Sequence, residues 1–122
     1  GDGGIQMTVQ ELGTIMQEQT GVKIILMNNN WLGMVRQWQE LFYESNYSQT
    51  KMVNPDFSLL AKAYGIASRE VSERSELKSA IEDMLKTDDP YLLIVNVEPE
   101  GMVYPMTPAG HTITDIMTGE KK

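Results

Sequence analysis

Two short stretches carry the residue types for metal–phosphate chemistry. Gly1-Asp2-Gly3-Gly4 sets a carboxylate among glycines, and Asn28-Asn29-Asn30 closes an apolar run some two dozen residues later. Mg²⁺ takes oxygen ligands in tight octahedral geometry and usually shares them with phosphates. Asp2 offers a charged oxygen, Asn29 a neutral carbonyl oxygen, and the main chain near Trp31 a third. A diphosphate and a water would complete the shell. Gly3 and Gly4 let the backbone approach phosphate oxygens because no Cβ intervenes. Taken alone, the same glycines also suit a hairpin or loop, and a run of asparagines also makes a plain turn.

The residues between the two stretches decide whether they can meet. Thr8-Val9-Gln10-Glu11 has the form of a capping box. Val9, Leu12, Ile15 and Met16 recur at helical spacing, so the sequence predicts a helix over 8–19 ended by Thr20-Gly21. The start of that helix would add free N–H groups and a positive dipole end. Val22–Met27 is short and β-branched, as a buried parallel strand should be. Both stretches then lie beyond the carboxyl ends of neighbouring strands, where ligands bind in open parallel sheets. This requires a strand just upstream of Asp2, so the chain reads as the C-terminal piece of a longer protein.

Further along, Met34, Val35, Trp38, Leu41 and Phe42 give an amphipathic helix over 33–43, and residues 44–53 read as a polar surface loop. Asn54-Pro55-Asp56 starts a helix whose buried stripe is Phe57, Leu60, Ala63 and Tyr64, with Gly65 as C-cap. A weaker strand over 66–71 precedes a helix from Ser75 carrying Leu77, Ile81, Met84 and Leu85. Asp88-Asp89-Pro90 breaks that helix, and 91–97 is a clear strand. The alternation predicts an α/β domain with a parallel sheet flanked by helices, truncated at its N-terminus. The domain takes residues 1–100. Residues 101–122 form an extended tail with at most one short helix near Thr112–Met117.

Composition narrows the function. The 122 residues suffice for one core. A net charge of −7 disfavours nucleic acid and anionic lipid. The apolar runs are too short to cross a bilayer, and residues 1–15 lack the features of a signal peptide. With no cysteine, thiolate catalysis and zinc–sulfur sites are excluded, and a reducing cytoplasm fits. His111, the only histidine, lies in a Gly/Thr-rich segment and reads as exposed. Glu70, Glu73, Glu76, Glu82 and Asp83 read as a solvated acidic face, and most of the nine methionines as core filler.

The chain resembles thiamine-diphosphate (ThDP) enzymes at Gly1-Asp2-Gly3 and Asn28-Asn29, their GDG…NN signature. The likeness continues through Met7–Leu12. It is most specific at Leu32-Gly33-Met34-Val35-Arg36-Gln37-Trp38-Gln39, then at Leu41-Phe42-Tyr43 and Asn54-Pro55-Asp56-Phe57. These stretches are similar to the C-terminal ThDP-binding domain of acetolactate synthase catalytic subunits, over residues 1 to about 108.

The resemblance implies that Asp2 and Asn29 are side-chain ligands of Mg²⁺ and Trp31 its main-chain ligand. It implies that Gly1, Gly3, Gly4 and Gly33 lie at the cofactor, and that Met34 and Val35 line the cofactor and substrate pocket. Trp38 would face the substrate channel and favour 2-oxobutyrate over pyruvate as acceptor; by periodicity alone it belongs to the core. The reaction implied is decarboxylation of pyruvate and addition of the hydroxyethyl carbanion to a second 2-oxoacid, at the entry to valine, leucine and isoleucine synthesis. The activating glutamate and an FAD-binding domain are expected elsewhere in the full-length enzyme, so this chain alone should be inactive and holds no catalytic residue. A homodimer or homotetramer through the ThDP-binding domains is implied, with a possible small regulatory subunit. Two alternatives stay open: another ThDP-dependent 2-oxoacid oxidase or decarboxylase, and a non-catalytic α/β interaction domain.

Overall fold

A computed structural model describes residues 1–119; the last three residues of the expected tail lie outside the described residues. Three strands, β1 (Lys23–Asn28), β2 (Ala67–Val71) and β3 (Tyr91–Asn96), form one parallel sheet in the order β1-β3-β2. Lys23 aligns with Tyr91 and Asn28 with Asn96, while Ala67 aligns with Tyr91. Five α-helices accompany the sheet: α1 (Asp2–Met7), α2 (Glu11–Glu18), α3 (Gly33–Phe42), α4 (Phe57–Ala63) and α5 (Arg74–Leu85). A 3₁₀ turn at Ile113–Asp115 falls where the short tail helix was expected and carries a capping box from Thr112 and Asp115.

Strand β3 is central, so both of its faces are covered. Leu92 and Ile94 point to one layer with Leu26, Leu12, Phe57, Ala61 and Ile66. Leu93 points to the other with Val71, Ala80 and Met84. This is the period-two alternation of a strand, doubled because parallel strands are apolar on both sides. On the α5 side, Ile25 and Met27 of β1 remain about half exposed.

Several local expectations change. The expected helix over 8–19 is two helices, because Thr8 closes α1 by donating its N–H to Ile5 and Gln10 opens α2. The Thr8–Glu11 capping box is therefore not formed. The Gly1–Gly4 stretch is not a free turn: Gly1 is the N-cap of α1, and Asp2 sits in its first turn. In α4 the buried positions are Phe57 and Ala61, with Leu60 and Tyr64 half-buried and Ala63 exposed. Asp56 caps α4, its carboxylate accepting from the Leu59 N–H at 2.8 Å. Asp83 belongs to no plain solvated face, since Arg69 and Lys86 pair with it at 2.6 and 2.7 Å.

The packing of α3 departs from what periodicity alone suggests. Its buried residues are Arg36 and Gln37, whereas Met34, Val35 and Phe42 are exposed and Trp38 is half-buried. Periodicity identifies an apolar face but not what that face meets. Here the polar face packs inward because its long side chains find backbone partners. The Gln37 amide accepts from the Val103 N–H at 2.8 Å and donates to the Val103 carbonyl at 3.1 Å. Arg36 donates to the Pro99 carbonyl at 3.0 Å and pairs with Glu40 at 2.9 Å. These bonds hold the segment after β3 against the helix.

Candidate cofactor and metal site

At the carboxyl ends of β1 and β3 lies a cavity of about 270 Å³, lined by Gly1–Gly4, Met27, Asn29, Trp31, Leu32, Gly33 and Val97. The strands deliver the site by their register. Asn28 ends β1 level with Asn96 at the end of β3, so the turn after β1 opens beside the start of α1.

Asp2 is only 2% exposed. Its carboxylate Oδ2 accepts from the Asn54 amide at 2.7 Å. Among the described residues no Lys, Arg, His or amino terminus lies within ion-pair distance of it. A buried carboxylate without a cation is costly, by several kcal/mol after relaxation. Asn29 makes an Asx turn, its side-chain oxygen accepting from the Trp31 N–H at 3.1 Å. Gly33 packs close to it, since a Cβ there would come within 3.2 Å of the Asn29 amide nitrogen.

Trp31 forms an isolated antiparallel bridge with Lys51, flanked by Leu32 N–H to Thr50 carbonyl and Met52 N–H to Asn30 carbonyl, both at 2.8 Å. This pattern leaves the Trp31 carbonyl without a hydrogen-bond donor among the described residues. The Arg36 guanidinium stacks on the Trp31 and Tyr47 rings, 5.4 and 5.3 Å from their centroids, and fixes the indole. Gly3 has a packing reason as well, because a Cβ there would lie 2.8 Å from Leu32 Cδ2. At Gly4 a Cβ would meet nothing within 4 Å and would project into open space.

The residues singled out from the sequence therefore divide into groups. Gly1, Asp2, Gly3, Gly4, Asn29, Trp31 and Gly33 share the cavity. Val35 and Trp38 line a separate, larger cavity of about 680 Å³ with Gln39, Phe42, Tyr43 and Asn46. There the Trp38 and Phe42 rings lie 4.9 Å apart. Met34 is 48% exposed and lines neither cavity. The start of α2, expected to contribute N–H groups, is absent from the walls of the first cavity, where the start of α1 stands instead.

Asn54 was expected only to start a helix, yet it sits at the carboxylate. The Asn-Pro pair signals a turn and carries no sign of this contact, which depends on the path of residues 44–53. Three or more His, Cys, Asp or Glu are nowhere clustered for metal binding among the described residues. A set of one carboxylate, one amide and one backbone carbonyl, with the remaining positions left to phosphate and water, nevertheless has the hard-oxygen chemistry that Mg²⁺ takes.

Comparison with known proteins places the chain in a family. The chain is 42% identical to the acetolactate synthase isozyme 2 large subunit of Escherichia coli (strain K12), over 96% of this chain and 22% of that one. It is 41% identical to the chloroplastic acetolactate synthase of Arabidopsis thaliana, over 97% of this chain and 19% of that one. Among solved structures, the thiamine diphosphate-dependent 4-hydroxybenzoylformate decarboxylase of Rhodococcus jostii RHA1 aligns with a TM-score of 0.74 at 26% identity. That alignment covers 80% of this chain and 19% of the other. The chain thus spans about a fifth of the length of these relatives. Residues 1–95 match the family described as "Thiamine pyrophosphate enzyme, C-terminal TPP binding domain", and the chain belongs to that family.

Proposed function

We propose that the chain is the ThDP-binding domain of an acetolactate synthase catalytic subunit and anchors the cofactor's diphosphate through Mg²⁺. The observation that carries this reading is the Asp2 carboxylate, buried on the wall of a glycine-lined cavity with no protein cation in reach among the described residues. A divalent ion there would neutralise it. Asp2 and Asn29 would hold the ion through side-chain oxygens and Trp31 through its free carbonyl. Gly3 and Gly4 would leave backbone open to phosphate oxygens, and Gly33 makes room for Asn29.

Bound ThDP supplies the electron sink for decarboxylation of a 2-oxoacid. The chain's own contribution is binding and orientation. The exposed apolar face of α3, with Val35 and Trp38, would form one wall of the pocket for the second 2-oxoacid, pyruvate or 2-oxobutyrate. Products of this kind lead to branched-chain amino acids. The activating glutamate and the FAD-binding domain would lie elsewhere in the full-length enzyme, and a homodimer or homotetramer would form through the ThDP-binding domains. Identity of 42% to a synthase, against 26% to a decarboxylase, favours the synthase.

Titration of the full-length protein with ThDP at saturating Mg²⁺ tests the reading. Wild type should bind ThDP in a Mg²⁺-dependent way, and Asp2→Ala should abolish that binding. Unchanged affinity in the variant would refute it.

A further inference from the structure

We propose that Asn54 is a positioning residue that aims the Asp2 carboxylate at the cation; this rests on the Mg²⁺–diphosphate reading above. Its amide nitrogen donates to Asp2 Oδ2 at 2.7 Å, to Asn28 Oδ1 at 2.9 Å and to Asn30 Oδ1 at 3.0 Å. Two N–H bonds thus serve three acceptors. Its oxygen in turn accepts from the Gln6 amide at 2.8 Å, and Gln6 also reaches the Asp2 carbonyl at 3.3 Å. Asn54 is therefore held at both ends, and α1 is tied to the turn after β1 through one side chain.

The support extends across the sheet. The Asn28 amide nitrogen donates to Asn96 Oδ1 at 2.9 Å, and Asn96 donates to Glu70 at 2.7 Å and to Ser72 at 3.0 Å. Each amide donates in the same direction, from Asn54 toward Glu70, so the orientation of one fixes the next. The ends of all three strands thereby brace Asn54 against Asp2. Because one carboxylate oxygen is engaged by Asn54, the side chain cannot rotate freely, and its ligand direction is set before the cation arrives. Such outer contacts commonly change metal affinity by about 10–100-fold.

Positioning differs from simple scaffolding in what it does to ion choice. Mg²⁺ demands near-ideal octahedral geometry, whereas Ca²⁺ tolerates flexible shells. In the full-length protein, Asn54→Ala should raise the half-saturating Mg²⁺ concentration for ThDP binding about 10-fold or more. The corresponding Ca²⁺ value should rise about 3-fold or less, given that ion's tolerance. Asn54→Ser keeps a donor but is too short to span Asp2 and Asn28; it should show the same selective loss and serves if the alanine variant does not fold. Calorimetric titration reads both ions. Equal losses for the two ions, or no loss at all, would overturn the proposal. Asp2→Ala in the same series separates the two claims. If Asp2→Ala abolishes binding and Asn54→Ala does not alter it, only the positioning role falls. If Asp2→Ala binds normally, the metal reading falls and takes this proposal with it.

Discussion

Asp2→Asn should make the cofactor-free protein more stable while removing its response to metal and ThDP. Asp2 is 2% exposed, has an amide donor on one oxygen, and has no cation in ion-pair reach among the described residues. Holding that charge out of water costs stability until a cation binds. Asparagine has nearly the same shape, and its oxygen can still accept from Asn54. The substitution therefore removes the charge and keeps the contact. From the cost of an uncompensated buried polar group, the gain is about 1–3 kcal/mol. Each kcal/mol corresponds to a rise of about 2–4 °C in melting temperature for a domain-sized unit. In wild type, ligand at 100 times its Kd adds about 2.7 kcal/mol, and Asp2→Asn should lose nearly all of it. Thermal melts of both proteins, with and without Mg²⁺ and ThDP, read the two effects together. A lower melting temperature for unliganded Asp2→Asn, with the ligand-induced rise intact, would refute the reasoning.

Other expectations follow from separate parts of the molecule. Trp38→Leu should lower the preference for 2-oxobutyrate over pyruvate in the full-length enzyme, because Trp38 lines the larger cavity; an unchanged product ratio would return it to a packing role. Gln37→Leu should cost about 1 kcal/mol by removing its hydrogen bonds to the Val103 N–H and carbonyl. Hydrogen exchange around Val103 should rise with it, and unaltered exchange there would count against the clasp. The Lys86 ammonium, with Arg69, holds the Asp83 carboxyl below its usual range. A depressed carboxyl stabilises the fold above its unfolded pKa and loses that contribution as pH falls through the folded value. Stability should thus decline at acid pH, and Asp83→Asn should flatten the decline; an identical acid limb in melts of the two proteins would exclude the pair as its source.

Much of this architecture was legible because strand signals are local. Ile24–Met27 and Leu92–Val95 are short, β-branched-rich apolar runs of the kind parallel strands use, and the strands fall within a residue of expectation. The site was legible in part for the same reason, since Asn29 must follow β1. Helix boundaries near Thr8 were not, because Thr and Glu at capping spacing do not reveal whether the preceding residues are already helical. The orientation of α3 was hidden for a different reason. Arg36 and Gln37 are polar, and their burial depends on Pro99 and Val103, more than sixty residues away. Asn54 was missed on the same account, because its partners Asp2 and Asn28 are 52 and 26 positions distant.

The most direct test is the position of the ion itself. A crystal of the full-length protein grown with ThDP and Mn²⁺, a divalent substitute visible by anomalous scattering, locates it without ambiguity. The expected peak touches the Asp2 carboxylate, the Asn29 side-chain oxygen and the Trp31 carbonyl, at roughly the distances of an octahedral Mg²⁺ shell, about 2.1 Å, with diphosphate oxygens completing that shell. A peak elsewhere, or diphosphate density away from Gly3 and Gly4, would contradict the assignment.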